Sequence, residues 1–265
     1  MKILAIDTSA SSGSIALLED DQVIAELTTC TQKTHVERLL PLIKTLLSSI
    51  NTKIEDVDGF ALTIGPGSFT GLRIGLAAIK GLAWSLNKPV VGVSTLEALA
   101  MNIPYSDKPI CPILDARKKE VYAGIYKFQD ANQPHPHLTP LPDGEENILP
   151  PPLQGEGRGG DGVRKAFSEQ NLETYNLQYA TCFMPDTAIS PDVLIKMVKE
   201  PTIFLGNGIK VYGDVIKDAL KDLAIFAPPH LWSIRALNIG LLAWKRFKKG
   251  DAGIPEKINL NYLRP

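Results

Sequence analysis

Cysteine is scarce. Cys30, Cys111 and Cys182 are the only three in 265 residues, and they lie far apart. An odd, scattered set excludes a disulfide framework and a zinc knuckle and fits a reducing compartment, so a cytoplasmic location is expected. The histidines, His35, His135, His137 and His230, form no HExxH and no helical ligand pair. A zinc hydrolase therefore lacks its ligand set. Excess charge of one sign is also missing: 28 Lys and Arg stand against 29 Asp and Glu, a formal net charge of −1. That balance excludes a large nucleic-acid footprint for the chain acting alone. Nor is there a long apolar run: the stretch from Ile74 is interrupted by Lys80, and the opening MKILAIDTS turns polar after six residues. Neither a membrane span nor a signal-peptide core is expected.

What is present is 44% hydrophobic residues, enough to bury a sizeable core in one large domain or two modest ones. The most telling segment is IGPGSFTGLRIGLAAIKGLAWSL, Ile64 to Leu86. Gly65, Pro66 and Gly67 break the apolar run Phe60 to Ile64, Ser68 is placed to cap a helix, and Asn87, Lys88 and Pro89 mark its exit. Leu72, Leu76, Ile79, Ala83 and Leu86 recur at helical spacing. Gly71, Gly75, Ala78 and Leu82 form a neighbouring stripe of mostly small residues, which lets another backbone come close. With only Arg73 and Lys80 charged in its interior, one face is expected on the chain's own sheet and the other against more of this protein or a second protein. A helix wholly inside one fold would give the same pattern.

Upstream, Lys2–Ile6, Gly13–Leu18 and Gln22–Thr28 read as an antiparallel meander. A helix follows over Thr34–Ile50, with Thr34 and Glu37 as a capping box. Its apolar stripe of Val36, Leu39, Leu40, Ile43, Leu46, Leu47 and Ile50 lies opposite Arg38, Lys44, Thr45 and Ser48, and Pro41 is expected to bend the second turn. Phe60–Ile64 and Val90–Val93 complete an order of three strands, helix, strand, helix, strand. This order resembles the unit of the actin, Hsp70 and sugar-kinase superfamily, which implies an α/β fold of two lobes, each a mixed sheet with helices, and a second copy of the unit. Strand candidates at Ile110–Leu114, Glu120–Phe128 and Thr202–Leu205, with helical patterns at Pro191–Lys199 and Ile209–Leu220, supply that copy. Residues 1–104 are expected as the first lobe, 105–230 as the second and 250–265 as a tail. The helical stretch within 231–249 is expected to pack back on the first lobe. Residues 129–163, dense in Pro, Gly and acids, are expected to form a disordered loop without a function of their own.

Candidate chemistry is thin. Asp7, Thr8 and Ser9 end the first strand where the superfamily places phosphate and magnesium; a solvated hairpin turn needs the same residues. Gly206 and Gly208, flanking Asn207, resemble the place where adenosine lies against backbone, although any strand-to-helix turn needs small residues. The segment around Asp115 lacks the glycines of a second phosphate loop, which counts against ATP hydrolysis. GPGSFTG is not a P-loop, because no Lys and Ser or Thr follow it. Neither a GxSxG elbow nor a recognisable nucleophilic cysteine is present.

Seven stretches carry a closer likeness: ILAIDTS (3–9), HVERLLPLI (35–43), IGPGSFTGLRIGLAAIKGLAW (64–84), GVSTLEALA (92–100), DARKKEVYAGIY (115–126), GNG (206–208) and YLR (262–264). Together they resemble the TsaB (YeaZ) family. Val36 replaces a frequent Ser, and Leu260-Asn261 a frequent Pro-Val. The resemblance implies a non-catalytic subunit for making N6-threonylcarbamoyladenosine at position 37 of tRNA. It implies pairing with the catalyst TsaD through the first two helices, recruitment of the ATPase TsaE, dependence on the adenylate made by TsaC, a homodimer when alone, and tRNA contacted mainly through the complex. A partner surface of Val36, Leu40, Ile43, Gly71, Arg73, Gly75 and Ala78 is expected. No cofactor is required, and the Asp7, Thr8, Ser9, Gly206, Gly208 set is expected as a vestigial nucleotide site, with ATP or ADP at the partner interface left open. The rival readings are an ATP-dependent small-molecule kinase of the same superfamily and, more distantly, a zinc endopeptidase.

Overall fold

The computed structural model describes residues 1–30, 34–128 and 180–263, so the loop expected over 129–163 and Arg264 of the YLR stretch lie outside the described residues. The first meander forms as β1 (Lys2–Asp7), β2 (Gly13–Glu19) and β3 (Gln22–Thr29). Then come α1 (His35–Ser49), β4 (Gly59–Gly65), α2 (Phe69–Ser85), β5 (Val90–Ser94) and a short α3 (Thr95–Ala100). Strand order is β3-β2-β1-β4-β5. The meander pairs are antiparallel, while β1 with β4 and β4 with β5 are parallel, with Leu4 opposite Phe60.

The unit then repeats. β6 (Ile110–Arg117), β7 (Glu120–Phe128) and β8 (Ala180–Ile189) form a second meander, followed by α4 (Pro191–Met197), β9 (Thr202–Leu205), α5 (Ile209–Leu220) and β10 (Ala224–Phe226). Its order, β10-β9-β6-β7-β8, is the first sheet's order with the same strand polarities. The last helix is α6 (Ala236–Lys248). This is the two-lobed α/β fold implied by the superfamily resemblance.

Alternation along β1 sets the layers, because successive side chains leave opposite faces of a strand. Leu4 and Ile6 join Leu39, Leu46, Phe60 and Ile79 in a core between the first sheet and the helix pair α1–α2. Ile3 and Ala5 face the other way, into a core shared by α3, α6 and the second sheet through Leu114, Tyr126 and Leu205. A third core lies beneath α4 and α5. The layers therefore run helices, sheet, helices, sheet, helices. Each fully buried large side chain contributes roughly 1.5–3 kcal/mol relative to exposure.

Polar bonds pin the central layer. Asn238 Nδ2 donates to Ala98 O (3.0 Å) and Asn102 Oδ1 (2.7 Å), and Asn102 Nδ2 donates to Leu231 O (2.8 Å). Arg246 donates to Glu97 (2.6 Å). Between the lobes, the Asp186 carboxylate accepts from the hydroxyls of both Ser94 and Tyr126.

α1 runs as one helix through Pro41, and one expectation about it is corrected. Arg38 is buried rather than solvent-facing, and its guanidinium donates to Ser11 O (2.6 Å) and to His35 Nδ1 (3.0 Å), while His35 Nε2–H donates to Ala10 O (2.7 Å). These two side chains fasten α1 to the β1–β2 turn. Within the C-terminal tail, Ile258 packs under α2, and Asn261 N donates to Ile64 O (2.7 Å).

Candidate functional site

The C-terminal ends of β1 and β4 are joined by Thr63 and Asp7, and Asp115 near the end of β6 is joined to Asn207 just after β9; strand C-terminal ends are the usual location for a site in open α/β sheets. At β1, Asp7 is 1% exposed and Thr8 and Ser9 are also buried. Asp7 Oδ1 accepts three hydrogen bonds, from Ser9 N (3.0 Å), Ser9 Oγ (2.6 Å) and Thr63 Oγ1 (2.7 Å), while Oδ2 is buried without a partner. Burial pushes the Asp7 carboxyl pKa upward against those hydrogen bonds.

The seal comes from α2. Ser68 caps it, accepting from Gly71 N (3.2 Å), and Ser68 N donates to Ser9 O (2.7 Å). A Cβ on Gly71 would fall 2.0 Å from Thr8 O, and one on Gly75 would fall 2.3 Å from Thr8 Oγ1. The close approach that the small stripe permits is thus made to the protein's own first strand. Gly71 and Gly75 are not partner-surface residues. Ile43 is likewise buried, in the core under α1.

Gly206 and Gly208 show the same economy. Gly206 has φ +109°, and a Cβ there would fall 2.3 Å from Ile113 O; Gly208 N donates to Ile113 O (3.1 Å). Asn207 Oδ1 accepts from Asp115 N (3.0 Å). These residues lock β9 to β6. Among the described residues, no three His, Cys, Asp or Glu side chains gather as a metal site.

What does face outward is the helix pair. On α1, Val36 is 66% and Leu40 54% exposed; on α2, Phe69 is 52% and Trp84 76% exposed. Arg73 is exposed and Ala78 half-buried. A groove of about 290 Å³ runs between the helices, lined by Leu40, Ile43, Leu47 and Leu82 among others. Phe69, Arg73, Ala77 and Trp84 recur at helical spacing on the outer side of α2. Sequence reasoning left out Phe69 and Trp84 because it followed the stripe that proves to be buried. Their offset from Leu72, Ile79 and Ala83 was the available signal.

A larger cleft, about 630 Å³, opens beside the α2 N-terminus, lined by Pro66, Gly67, Phe69, Leu72, Arg73, Tyr122, Asn261, Tyr262 and Leu263. The Arg73 guanidinium lies 3.7 Å above the Phe69 ring centroid, and Arg73 Nε donates to Tyr262 Oη (3.1 Å). The Phe69 and Tyr262 centroids are 5.2 Å apart. The sequence offered no sign of this group, because Arg73 and Tyr262 are 189 residues apart.

Comparison with known proteins adds to this geometry. The family model of TsaD, tRNA N6-adenosine threonylcarbamoyltransferase, matches residues 24–135. The tRNA threonylcarbamoyladenosine biosynthesis protein TsaB of Bacillus subtilis (strain 168) is 45% identical over 130 residues, covering 49% of this chain and 57% of that protein. Its counterpart in Escherichia coli (strain K12) is 38% identical over 129 residues, covering 48% and 55%. The chain thus spans about half the length of the curated relatives it matches. In fold, YeaZ from Pseudomonas aeruginosa matches over 99% of both chains, with a TM-score of 0.70 at 23% identity. In sequence the chain is thus similar to TsaB proteins over about half its length, and in fold it is similar to YeaZ over nearly all of it.

Proposed function

We propose that this protein is a non-catalytic, activating subunit of the complex that makes N6-threonylcarbamoyladenosine in tRNA, pairing with TsaD through the outer face of α1 and α2. The observation that carries the reading is the exposure of Val36, Leu40 and Trp84 around the Leu40–Leu82 groove. A contiguous apolar patch on a well-packed helix pair is the mark of a docking surface. Arg73 and Ala78 lie on the same helix pair. The sealed Asp7 and the occupied Gly206–Gly208 turn support a supporting role over a phosphoryl-transfer role. In this reading the pair admits TsaE, uses the adenylate made by TsaC, and contacts tRNA mainly through the complex; in the absence of TsaD, two copies of this chain join through an overlapping surface. The subunit needs no cofactor of its own.

The test is copurification with TsaD. Leu40→Glu and Trp84→Glu alter exposed side chains, so both variants are expected to fold as the parent does and to lose at least tenfold in affinity for TsaD, as truncations at interface hot spots do at about 2 kcal/mol. Unchanged affinity in both would refute the assignment. ATP turnover by the isolated chain with magnesium would favour the kinase reading instead.

A further inference from the structure

We propose that the cleft formed by Phe69, Arg73, Tyr122 and Tyr262 receives an unpaired base of an RNA strand. The inference rests on the role in tRNA modification proposed above and adds to it a specific RNA-contacting site. Three aromatic side chains from three separate parts of the chain line one opening: Phe69 from α2, Tyr122 from β7 and Tyr262 from the C-terminal segment. Phe69 and Tyr262 are half-exposed, at 52% and 46%, although they belong to a fixed group. Arg73 stacks on one ring and bonds the hydroxyl of the other, so the platform is ordered before any ligand arrives. Splayed bases stack on aromatic rings and on guanidinium planes.

Charge supports the same occupant. Arg117, Lys118 and Lys119 form the β6–β7 turn with φ of 60°, 51° and 62°. Three successive non-glycine residues in the left-handed region cost roughly 1–2 kcal/mol each, a conformation kept at functional sites more often than elsewhere. Lys118 and Lys119 are exposed. Lys119 lies in the turn that leads into β7, the strand that carries Tyr122. Two carboxylates share the hairpin, Asp115 and Glu120, and one Asp115 oxygen accepts the Arg117 amide (2.8 Å). The cationic turn and Arg73 outnumber them locally, although the whole chain carries a net charge of −1.

Fluorescence anisotropy of the full chain with a labelled single-stranded oligoribonucleotide at low salt tests the assignment. Binding that weakens with added salt is expected. Tyr262→Ala should weaken it about tenfold, the scale of one base–aromatic stack, whereas Tyr262→Phe should retain most of the affinity. The double variant Lys118→Glu with Lys119→Glu should flatten the salt dependence, and Phe183→Ala, an exposed aromatic on β8, should change nothing. If Tyr262→Ala does not fold, Phe69→Ala carries the same expectation. No binding by the parent protein, or equal binding by the alanine variants, overturns the proposal. So does displacement of the oligonucleotide by an equal concentration of ADP, which would give the cleft to a free nucleotide. TsaD copurification of the parent protein, run in parallel, separates the two readings: a parent that pairs with TsaD but binds no RNA removes only the cleft assignment, and one that binds RNA but does not pair with TsaD removes only the scaffold.

Discussion

Three glycines of one helix predict three different responses to a single methyl group. An alanine in the interior of α2 gains about 1 kcal/mol over glycine from backbone entropy alone. At Gly81 nothing lies within 4 Å of the added Cβ, so Gly81→Ala is expected to stabilise the protein by about 0.5–1 kcal/mol. At Gly71 the same Cβ falls 2.0 Å from Thr8 O, more than 1 Å inside the roughly 3.3 Å at which carbon and carbonyl oxygen ordinarily meet. The obstacle is backbone at the end of β1, so the helix must move outward, away from a core in which Leu72, Ile79 and Ala83 are fully packed. Overpacking of this kind costs 1–3 kcal/mol and occasionally more, and the propensity gain does not offset it. Gly71→Ala is expected to lose about 2 kcal/mol net. Gly75→Ala, whose Cβ meets the Thr8 side-chain oxygen at 2.3 Å, should fall between, because a hydroxyl can rotate where a backbone carbonyl cannot. Urea unfolding of the three variants at equal protein concentration reads the order directly. Gly71→Ala as stable as Gly81→Ala would refute the packing of α2 on β1 and restore these glycines to the outer surface.

Two further predictions concern pH. The Asp7 carboxyl pKa is raised by burial, so the folded state holds a proton that the unfolded state has released, and stability declines as pH rises from the ordinary carboxylate value through the folded one. Relative to Asp7→Asn, which cannot ionise, the parent protein should therefore lose stability over that interval and level off above it; parallel curves in a pH series of urea titrations would refute the burial argument. Lys245 on α6 is driven the other way, down to about 8, chiefly by burial and then by Lys249. Its ammonium is a cost to the fold below that pH, and the cost disappears as pH rises from about 8 toward the ordinary lysine value of 10.5. Lys245→Met should be more stable than the parent at neutral pH, with the difference shrinking between pH 8 and 10.5 in thermal melts.

The repeated strand–helix order was legible because its strands are short apolar runs closed by turn residues, and because α1, α2 and α5 keep a helical period over three or more turns. Elements without a period were missed. α3 has six residues and buries nearly all of them, so no polar face marks it as a helix; β10 has only three residues; β8 contains Pro185 and Asp186, which read as a break. The site was less legible for a different reason. A stripe of glycine announces that a backbone comes close without saying whose, and here it is the protein's own at Thr8 and at Ile113. Arg38 reads as a solvated charge until the Ser11 carbonyl is seen to receive it. The Phe69–Arg73–Tyr262 group joins positions with nothing between them in sequence to connect them.

The position of α6 has a consequence for biosynthesis. It packs across β1 and β2, with Gly240 against Leu18, and so covers one side of the first sheet. A growing chain that has already made β1 to β5 must therefore carry an uncovered apolar sheet until residues 236–248 leave the ribosome. The earliest segment of this protein to be synthesised is thus among the last to reach its final packing, and during that interval its exposed apolar surface favours aggregation.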